Sequence, residues 1–473
     1  MNALEHVVVA LSVLAFVYFT FLNGMYLLLT VLAWRPITAE AHARRYLGLA
    51  DIFASPLTPG ISVLVPAFNE EAVIVESVRS LLGLRYPRHE VIVVNDGSTD
   101  RTVDVLRAAF DLAPVRLALR DGIETARVRG AYVSRRHRNL VVIDKENGGR
   151  SDALNAAIVA ARNPYVCVID ADSLLGEDAL LQLAKPLVDE PAFVAAAGGT
   201  IRIANDCRVD HGRVVEVHLP KSRLPTFQVL EYLRAFLVAR VGWSSLNALA
   251  IISGAFGLFH RAHMEAVGGY WTSTVGEDFE LTLRLHRYLR ERGEPYRIGF
   301  VADPVCWTEV PDTLGTLGRQ RRRWQRGSWE TLRRHRRTIF NWRYGSLGLL
   351  AVPTLMFEFV SPVFWLGGSI LTIVAWAFGL LSTLYFVAFL VVSFGLSIVL
   401  SIAAVAVDEL NFRTYRTRKE VLRLLWYAVA ETLGYHQLND LWRGMGFVDI
   451  ARRKKAWGAQ QRRGFAGAPS SGT

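Results

Sequence analysis

Long apolar runs occupy the two ends of the chain, and shorter apolar runs separated by polar boundaries occupy its middle. Residues 7–33 contain no charged side chain, and a helix of that length crosses about 30 Å of hydrocarbon. The run is longer than the hydrophobic core of a secretory signal peptide, no basic leader precedes it, and no small-residue cleavage site follows it. The pattern therefore predicts a retained transmembrane helix within residues 1–34 rather than a cleaved signal peptide.

The second apolar block, residues 347–407, is too long for a single crossing. It contains one charged residue, Glu358, and is interrupted by prolines and glycines. We predict a kinked or broken span over residues 347–381, with a short re-entrant piece as an alternative, and a returning span over residues 384–407. Glu358 is predicted to face a polar cavity or partner, because an unpaired charge is costly inside a bilayer.

The distribution of basic residues predicts the orientation of these spans. Basic side chains cluster just after the first and the last apolar runs, at Arg35, Arg44, Arg45, Arg413, Arg416, Arg418 and Lys419. The positive-inside rule then predicts a multi-pass protein of the inner (plasma) membrane, with its middle segment in the cytosol. The net charge of +11 suggests nucleic acid at first sight, but the arginines lie near the spans and in residues 319–337. That placement fits anionic lipid headgroups and a diphosphate, so we expect no nucleic-acid partner.

Near the carboxyl terminus, residues 421–441 mix leucines with charged side chains, and a basic run follows at residues 452–455. A crossing would place that basic run outside the cell. We therefore predict an amphipathic helix on the cytosolic face of the membrane, followed by a disordered tail beyond Phe465.

The middle segment shows the pattern of an α/β fold. Short β-branched runs at residues 61–65 and 91–94 flank a helical pattern at residues 70–82, and the runs at residues 140–143 and 166–169 flank a second helix. Repeated βαβ units predict a Rossmann-like, mostly parallel sheet with helices on its faces. The arginine-rich stretch 120–138 lacks periodicity and is predicted to be a surface loop.

Polar residues stand where the predicted strands end, so they are expected to converge on one crevice. Asp170 and Asp172 follow the last of these strands, and two carboxylates on a rigid turn chelate a hard divalent ion, although the same pattern also occurs in solvated turns. Asp96 follows another strand, and Ser98 or Thr99 is predicted to cap the next helix. The three cysteines have no metal-ligand spacing, which indicates reduced thiols.

A glycine pair lies between Lys145 and Arg150, at the predicted start of a helix. Glycines allow close backbone approach to a ligand, the helix start offers unpaired amides, and the two side chains add positive charge. This combination favours an anion-binding turn, with an ordinary loop-to-helix turn as the alternative.

Five motifs occur in a fixed order along the chain. They are Val65-Pro66-Ala67-Phe68-Asn69-Glu70, Asn95-Asp96-Gly97-Ser98, Asp170-Ala171-Asp172, Gly276-Glu277-Asp278 and Gln320-Arg321-Arg322-Arg323-Trp324. Together they resemble the membrane-embedded, processive family 2 glycosyltransferases, which include hyaluronan, cellulose, chitin-oligosaccharide and poly-N-acetylglucosamine synthases. The resemblance extends over residues 61–327 and the hydrophobic flanks.

The resemblance implies a GT-A fold, a nucleotide sugar as donor, UDP-linked by expectation, and Mg²⁺ or Mn²⁺ as the cofactor. It implies that Asp278 is the catalytic base and that Asp170 and Asp172 bind the metal. The donor-binding residues that it implies are Pro66, Phe68, Glu70, Asp96, Lys145, Arg150, Asp152, Asp170 and Arg323. The acceptor-binding residues that it implies are Glu277, Gln320, Trp324 and Gly254.

The expected function is inverting transfer of sugar to a growing β-linked polysaccharide that is moved outward across the bilayer. The alternatives are transfer of one sugar to a membrane lipid and, in another class, a noncatalytic transporter or regulator; the sequence does not identify whether a partner subunit exists. The expected organisation is a helix at 1–34, a linker at 35–60, a glycosyltransferase domain at 61–330, an interfacial segment at 331–346, spans at 347–407 and a cytosolic region at 408–473.

Overall fold

The computed structural model describes residues 3–46, 58–190, 194–210 and 212–452. Within these ranges the chain divides into two compact units, which we call the sheet unit and the helical unit. The sheet unit comprises the described parts of 39–219 and 249–310, and the helical unit those of 3–38, 220–248 and 311–452. The predicted tail beyond Phe465 lies outside the described residues, as do residues 47–57 of the predicted linker.

The compact units do not follow the predicted domain at residues 61–330, because residues 220–248 and 311–330 group with the helical unit; the domain bounds stay a prediction. Their side chains explain this membership. Arg234 forms an ion pair with the buried Glu431, and Arg321 pairs with Glu231 at 2.6 Å. These contacts join segments far apart in sequence, which the local pattern of the chain does not reveal.

The sheet unit contains a ten-stranded mixed sheet in the order β3-β4-β5-β2-β1-β6-β11-β8-β12-β7. Its strands in chain order are β1 Ile61–Ala67, β2 His89–Asp96, β3 Leu112–Val115, β4 Val128–Ser134, β5 Leu140–Lys145, β6 Tyr165–Ile169, β7 Ser173–Leu175, β8 Val194–Ile203, β11 Phe256–His260 and β12 Arg297–Thr308. The small hairpin β9 Arg208–Asp210 and β10 Arg213–Glu216 is separate. Strands β5, β2, β1 and β6 are parallel neighbours, so the motifs that follow β2, β5 and β6 meet at one edge.

Helices follow the strands as the α/β class predicts. Those of the sheet unit are α2 Ile74–Leu82, α3 Thr102–Phe110, α4 Arg150–Ala160, α5 Ala179–Asp189, α8 Arg261–Ala266 and α9 Glu277–Glu291. β1, β2 and β6 are almost entirely buried, and nearly every residue of α4 is buried as well. The central strands therefore read as continuous apolar runs because both of their faces are covered.

The stretch 120–138, predicted as a loop, contains strand β4. The strand pairs antiparallel with β5, and of its residues only Ala131 and Ser134 are buried. The irregular burial pattern, with a register shift between Val128 and Gly130, explains why the sequence shows no strand periodicity here. The prediction of an irregular loop was wrong for residues 128–134.

The helical unit is built from helices interrupted by π-helical turns. Its α-helices are α1 Ala3–Tyr46, which continues into the sheet unit, α6 Arg223–Tyr232, α7 Arg240–Ser245, α10 Leu314–Arg334, α11 Val352–Phe359, α12 Ser369–Ala377, α13 Thr383–Leu390, α14 Leu396–Asn411, α15 Arg418–Ala430 and α16 His436–Ala451. Helix α1 continues through the start of the predicted linker to Tyr46. Alanine, glutamate and arginine after Thr38 favour this extension.

Two of the described helices, Ala3–His42 and Thr383–Asn411, are long and apolar enough to cross a membrane. The pair Leu347–Phe359 and Val363–Ala377 is bent by 60° and makes a third if it forms one span. The predicted kink is thus present, and Pro362 at the bend lacks the amide that a continuous helix needs. Glu358 accepts a hydrogen bond from the Tyr26 hydroxyl at 2.5 Å, which agrees with its predicted polar partner.

The predicted helix over residues 421–441 is divided between α15 and α16. Leu433 and Gly434 have non-helical backbone angles, with φ of 135° at Gly434, a conformation that favours glycine. Helix α16 packs against α10, where Asp449 accepts two hydrogen bonds from Arg322 at 2.6 and 2.7 Å. A membrane-surface location for this segment stays a prediction.

Candidate active site

Lys145, at the end of β5, lies between two carboxylates. Its ammonium nitrogen is 2.6 Å from an oxygen of Asp96 and 2.6 Å from one of Asp152, and the side chain is fully buried. Asp96 is the last residue of β2 and Asp152 lies in the first turn of α4, so this cluster fastens the helix to the sheet. Lys145 therefore neutralises protein carboxylates here. Its predicted contact with the donor remains untested.

The glycine turn before α4 binds an anion, and in this structure that anion is Asp96. The amides of Gly148 and Gly149 donate to the two oxygens of Asp96 at 3.0 and 2.8 Å, and Asn147 donates to the Asp96 carbonyl at 2.8 Å. A Cβ at Gly148 would lie 2.6 Å from the Asp152 side chain. The backbone therefore approaches its neighbours more closely at Gly148 than at Gly149. Asp96 thus orders the turn from within the protein.

Two loops at the ends of β1 and β2 are joined through Asn69. The side-chain oxygen of Asn69 accepts from the backbone amide of Thr99 at 2.8 Å. The backbone amide of Asn69 donates to the Ser98 hydroxyl at 2.9 Å. Asp100, rather than Ser98 or Thr99, accepts from the amide of Thr102 at the start of α3, so the predicted cap was wrong.

Three predicted donor residues lie on the loop after β1. Phe68 is 47% exposed, and Pro66 and Glu70 are partly exposed. The Phe68 ring is thus an exposed aromatic surface on a loop fixed by Asn69, and a donor-binding role for these three residues stays a prediction.

Asp170 and Asp172 lie in the turn between β6 and β7, closed by a hydrogen bond from the amide of Ser173 to the carbonyl of Asp170. The Asp170 side chain is 32% exposed and Asp172 is buried. Among the described residues, no group of three or more histidine, cysteine, aspartate or glutamate side chains is placed to hold an ion. Two carboxylates on one turn supply the oxygen ligands that Mg²⁺ and Mn²⁺ accept, and such ions keep water and phosphate oxygens as further ligands.

Arg150 connects the Asp170 motif to the Glu277 motif. Its guanidinium donates to Asp170 at 2.7 and 3.1 Å, to Glu277 at 2.7 Å and to the carbonyl of Gly254 at 2.8 Å. Burial raises the pKa of Glu277, Arg150 acts in the opposite direction, and the net direction is upward. The same carboxylates raise the pKa of Arg150 against the effect of its burial, so Arg150 carries a permanent positive charge.

Asp278 lies in the first turn of α9, partly exposed beside Gly254. One carboxylate oxygen accepts from the amide of Gly254 at 3.3 Å, and the other accepts from the amide of Phe279 at 2.8 Å. These two amide donors, one from the loop at Gly254 and one from the first turn of α9, fix the direction of the carboxylate.

Two further side chains on the same face of α9 continue this contact. Thr282 accepts from the amide of Ile252 at 3.3 Å, and His286 bonds the carbonyl of Leu249 at 3.0 Å. With Asp278 they stand four residues apart, and they hold residues 249–254 along the helix; we call this set the α9 ladder. The ladder determines where the backbone of Gly254 lies relative to Asp278.

The remaining predicted residues, Gln320, Arg323 and Trp324, lie on α10 of the helical unit rather than in the sheet unit. The Trp324 side chain is 41% exposed, and the Arg321 guanidinium lies 4.4 Å from its ring centroid. Arg321 is itself held by Glu231 at 2.6 Å. Trp324 is thus a partly exposed ring supported from one side by a fixed cation.

Sequence reasoning missed the residues that support the site. Asn155 donates to the carbonyl of Tyr270 at 2.9 Å and accepts from its amide at 2.7 Å, which fixes the loop before α9. Thr282 and His286 were also missed. The spacing of four residues from Asp278 was the available signal, because it places all three on one helix face.

Comparison with known protein families gives two matches. The model for glycosyl transferase family 2 matches residues 62–233, and the model for glycosyl transferase family group 2 matches residues 165–404, about half of the chain.

Curated relatives include the poly-beta-1,6-N-acetyl-D-glucosamine synthases of Staphylococcus epidermidis and of Staphylococcus aureus strain COL. Each is 28% identical over 307 residues, which are 65% of this chain and 62% of the relative. Among solved structures, the mannosyltransferase PcManGT from Pyrobaculum calidifontis, in complex with GDP-Man and Mn²⁺, is 20% identical with a TM-score of 0.48, covering 87% of this chain and 99% of that one. Staphylococcus aureus TarS 1–349 with UDP-GlcNAc is 16% identical with a TM-score of 0.37, over 84% and 92%.

Proposed function

Because the chain belongs to glycosyl transferase family group 2, we propose that it is an inverting glycosyltransferase that extends a polysaccharide from a nucleotide-sugar donor. The curated relatives build poly-beta-1,6-N-acetyl-D-glucosamine by name, so UDP-N-acetylglucosamine is the first donor to test. The match spans 62% of the length of those relatives, so the identity of the donor sugar is part of what we propose.

The observation that carries the proposal is the position of Arg150 between Asp170 and Glu277. A single guanidinium holds the carboxylates of two motifs that are more than 100 residues apart in sequence. It also binds the carbonyl of Gly254, beside Asp278. These contacts support the proposal that Asp170, Glu277, Gly254 and Asp278 belong to one site within the sheet unit.

Asp170 and Asp172 are proposed to hold Mg²⁺ or Mn²⁺. When bound, the ion neutralises charge on the donor diphosphate and assists its departure. The protein's own part in donor binding is proposed to come from the loop after β1, with Pro66, Phe68 and Glu70, and from the Asp96 cluster with Lys145 and Asp152. In this arrangement Lys145 acts through the carboxylates that it pairs, because its ammonium group is buried.

Asp278 is proposed to accept the proton of the acceptor hydroxyl. The acceptor oxygen forms a bond to the anomeric carbon while the bond from that carbon to the phosphate oxygen breaks, and the electron pair leaves with the nucleoside diphosphate. Displacement from the opposite side inverts the anomeric centre. Positioned bases contribute about 10² to 10⁴ in rate. Asp278 is suited to this role because two backbone amides fix its carboxylate.

Gln320 and Trp324 are proposed to bind the acceptor, and Arg323 the donor diphosphate. A partly exposed indole ring supported by Arg321 offers an apolar face to a sugar ring. We further propose a multi-pass location in the plasma membrane, with the sheet unit in the cytosol and the polymer moved outward.

One observation favours a second candidate, transfer of a single sugar to a membrane lipid. The described residues contain two apolar helices that suit a crossing, or three with the bent pair, and a channel for a polymer needs enough helices to line it.

The test is product analysis with the full chain in nanodiscs. Supplied with UDP-N-acetylglucosamine and Mg²⁺ or Mn²⁺, it is expected to release UDP and to form a polymer of increasing length, and the Asp278→Asn variant is expected to form none. A product of one sugar on extracted lipid would support the second candidate. Absence of nucleoside diphosphate release with every nucleotide sugar tested would refute both.

A further inference from the structure

A strongly basic turn precedes the bent apolar helix pair in the helical unit. We call residues 333–343 the basic turn. Five of its arginines are exposed, and for four of them no hydrogen bond or ion pair among the described residues engages the guanidinium group; these four are Arg333, Arg336, Arg337 and Arg343. Unpaired guanidinium groups at this density repel one another unless an anion lies between them.

Two aromatic side chains on the same turn are also exposed. Phe340 is 59% exposed and Trp342 is 75% exposed. Phe340 has φ of 52°, in the left-handed region that bulky residues rarely adopt. The backbone therefore keeps an unfavourable conformation at a residue whose large apolar ring is exposed.

The basic turn is fixed to the first turn of the apolar segment. A Cβ at Gly348 would lie 2.2 Å from the carbonyl oxygen of Asn341, so the two backbones are in direct contact. Asn341 donates to the Arg337 carbonyl at 2.9 Å and accepts from the Arg343 amide at 3.1 Å. The arginines and aromatic rings are thus presented by an ordered loop, immediately before the apolar run that starts at Leu347.

We propose that the basic turn binds the headgroups of anionic phospholipids, independently of sugar transfer. Arg336, Arg337 and Arg343 pair with lipid phosphate, and Phe340 and Trp342 lie in the interfacial layer. The aromatic pair and the adjoining apolar helix favour a lipid over a free phosphate, because a free phosphate provides nothing to cover the exposed rings.

The test measures lipid binding to the purified full chain in detergent by native mass spectrometry, with phosphatidylglycerol and phosphatidylcholine supplied separately. The parent protein is expected to bind phosphatidylglycerol more tightly. In the variant Arg336→Gln/Arg337→Gln/Arg343→Gln, the dissociation constant for phosphatidylglycerol is expected to rise by about fivefold or more, the effect of losing at least one basic contact at a membrane surface. Binding of phosphatidylcholine is expected to change little.

A matched control removes three exposed arginines elsewhere, with Arg135→Gln/Arg136→Gln/Arg138→Gln in the sheet unit. This control is expected to bind phosphatidylglycerol like the parent. Phe340→Ala/Trp342→Ala is expected to weaken binding of both lipids. Equal losses in the two arginine variants would attribute the effect to net charge and overturn the proposal. So would an unchanged affinity in the first variant, or displacement of the lipid by inorganic phosphate at constant ionic strength.

Discussion

Arg150 donates to Glu277 across 2.7 Å, and this contact fastens the first turn of α9 to the first turn of α4. Both side chains are largely buried, at 16% and 7% exposure. Arg150→Gln would leave the Glu277 carboxylate buried without its cation, which typically costs about 3 to 5 kcal/mol. We expect a lower melting temperature of the full chain in detergent and faster hydrogen exchange in the first turn of α9.

The control for this prediction is Arg287→Gln on the same helix. Arg287 pairs with Glu291 at 3.2 Å near the surface, where such pairs contribute about 0.2 to 1 kcal/mol. If Arg150→Gln destabilised the protein no more than Arg287→Gln does, the bridge would not hold the two motifs together.

The variants Asp278→Asn and Asp172→Asn are expected to differ in whether they lose turnover alone or UDP binding as well. Asp278→Asn removes a base and leaves the metal carboxylates intact, so turnover should fall by about 10² to 10⁴ while UDP binding stays near the parent value. Asp172→Asn removes a metal ligand and should weaken UDP binding itself. Isothermal titration with UDP and Mn²⁺, beside a UDP-release assay, separates the two effects. Equal UDP affinity in both variants would contradict the metal assignment.

The hydroxyl of Thr282 forms the middle rung of the α9 ladder. It accepts from the amide of Ile252 and donates to the carbonyl of Asp278. Thr282→Val keeps the shape and the branched Cβ but removes both hydrogen bonds. The loop that carries Gly254 is then no longer held in a fixed position relative to Asp278. We expect a fall in kcat of about tenfold, equivalent to about 1.4 kcal/mol, with KM for the donor nearly unchanged. Thr282→Ser should restore most of the activity.

The sequence predicted the parallel strands and helices around the candidate site because apolar periodicity and strand ends are local features. It did not predict how the charges pair. Lys145 looked like a ligand for an external anion, yet it is buried between Asp96 and Asp152. The division of the chain into two units was missed for the same reason, since contacts such as Arg234 with Glu431 join residues about 200 positions apart. Long-range pairing of buried charges has no short-range signature.

His286, the last rung of the ladder, predicts a pH dependence of stability. Burial lowers its pKa to about 3, whereas an unfolded histidine titrates near 6.5. The unfolded state therefore binds more protons between these values, and the free energy of unfolding falls as the pH drops from about 6.5 towards 3, by up to about 1.4 kcal/mol per unit. His286→Gln should be less stable at pH 7 but less sensitive to acid. Melting temperatures from pH 4.5 to pH 8, with exposed His137→Gln as the control, measure the difference.

The bent helix pair and the basic loops together predict which connections face the outside. If the pair crosses once, residues 378–382 lie outside the cell and residues 412–417, with their arginines, lie in the cytosol. Phe378 is 78% exposed and Arg416 is exposed, so each accepts a single cysteine, in a chain where Cys207→Ser leaves two buried thiols. In intact spheroplasts a membrane-impermeant maleimide should label Phe378→Cys, and it should label Arg416→Cys only after lysis. A re-entrant pair would instead keep residue 378 on the cytosolic side, because the chain would return to the face from which it entered; protection of Phe378→Cys until lysis would therefore establish re-entry and exclude the crossing.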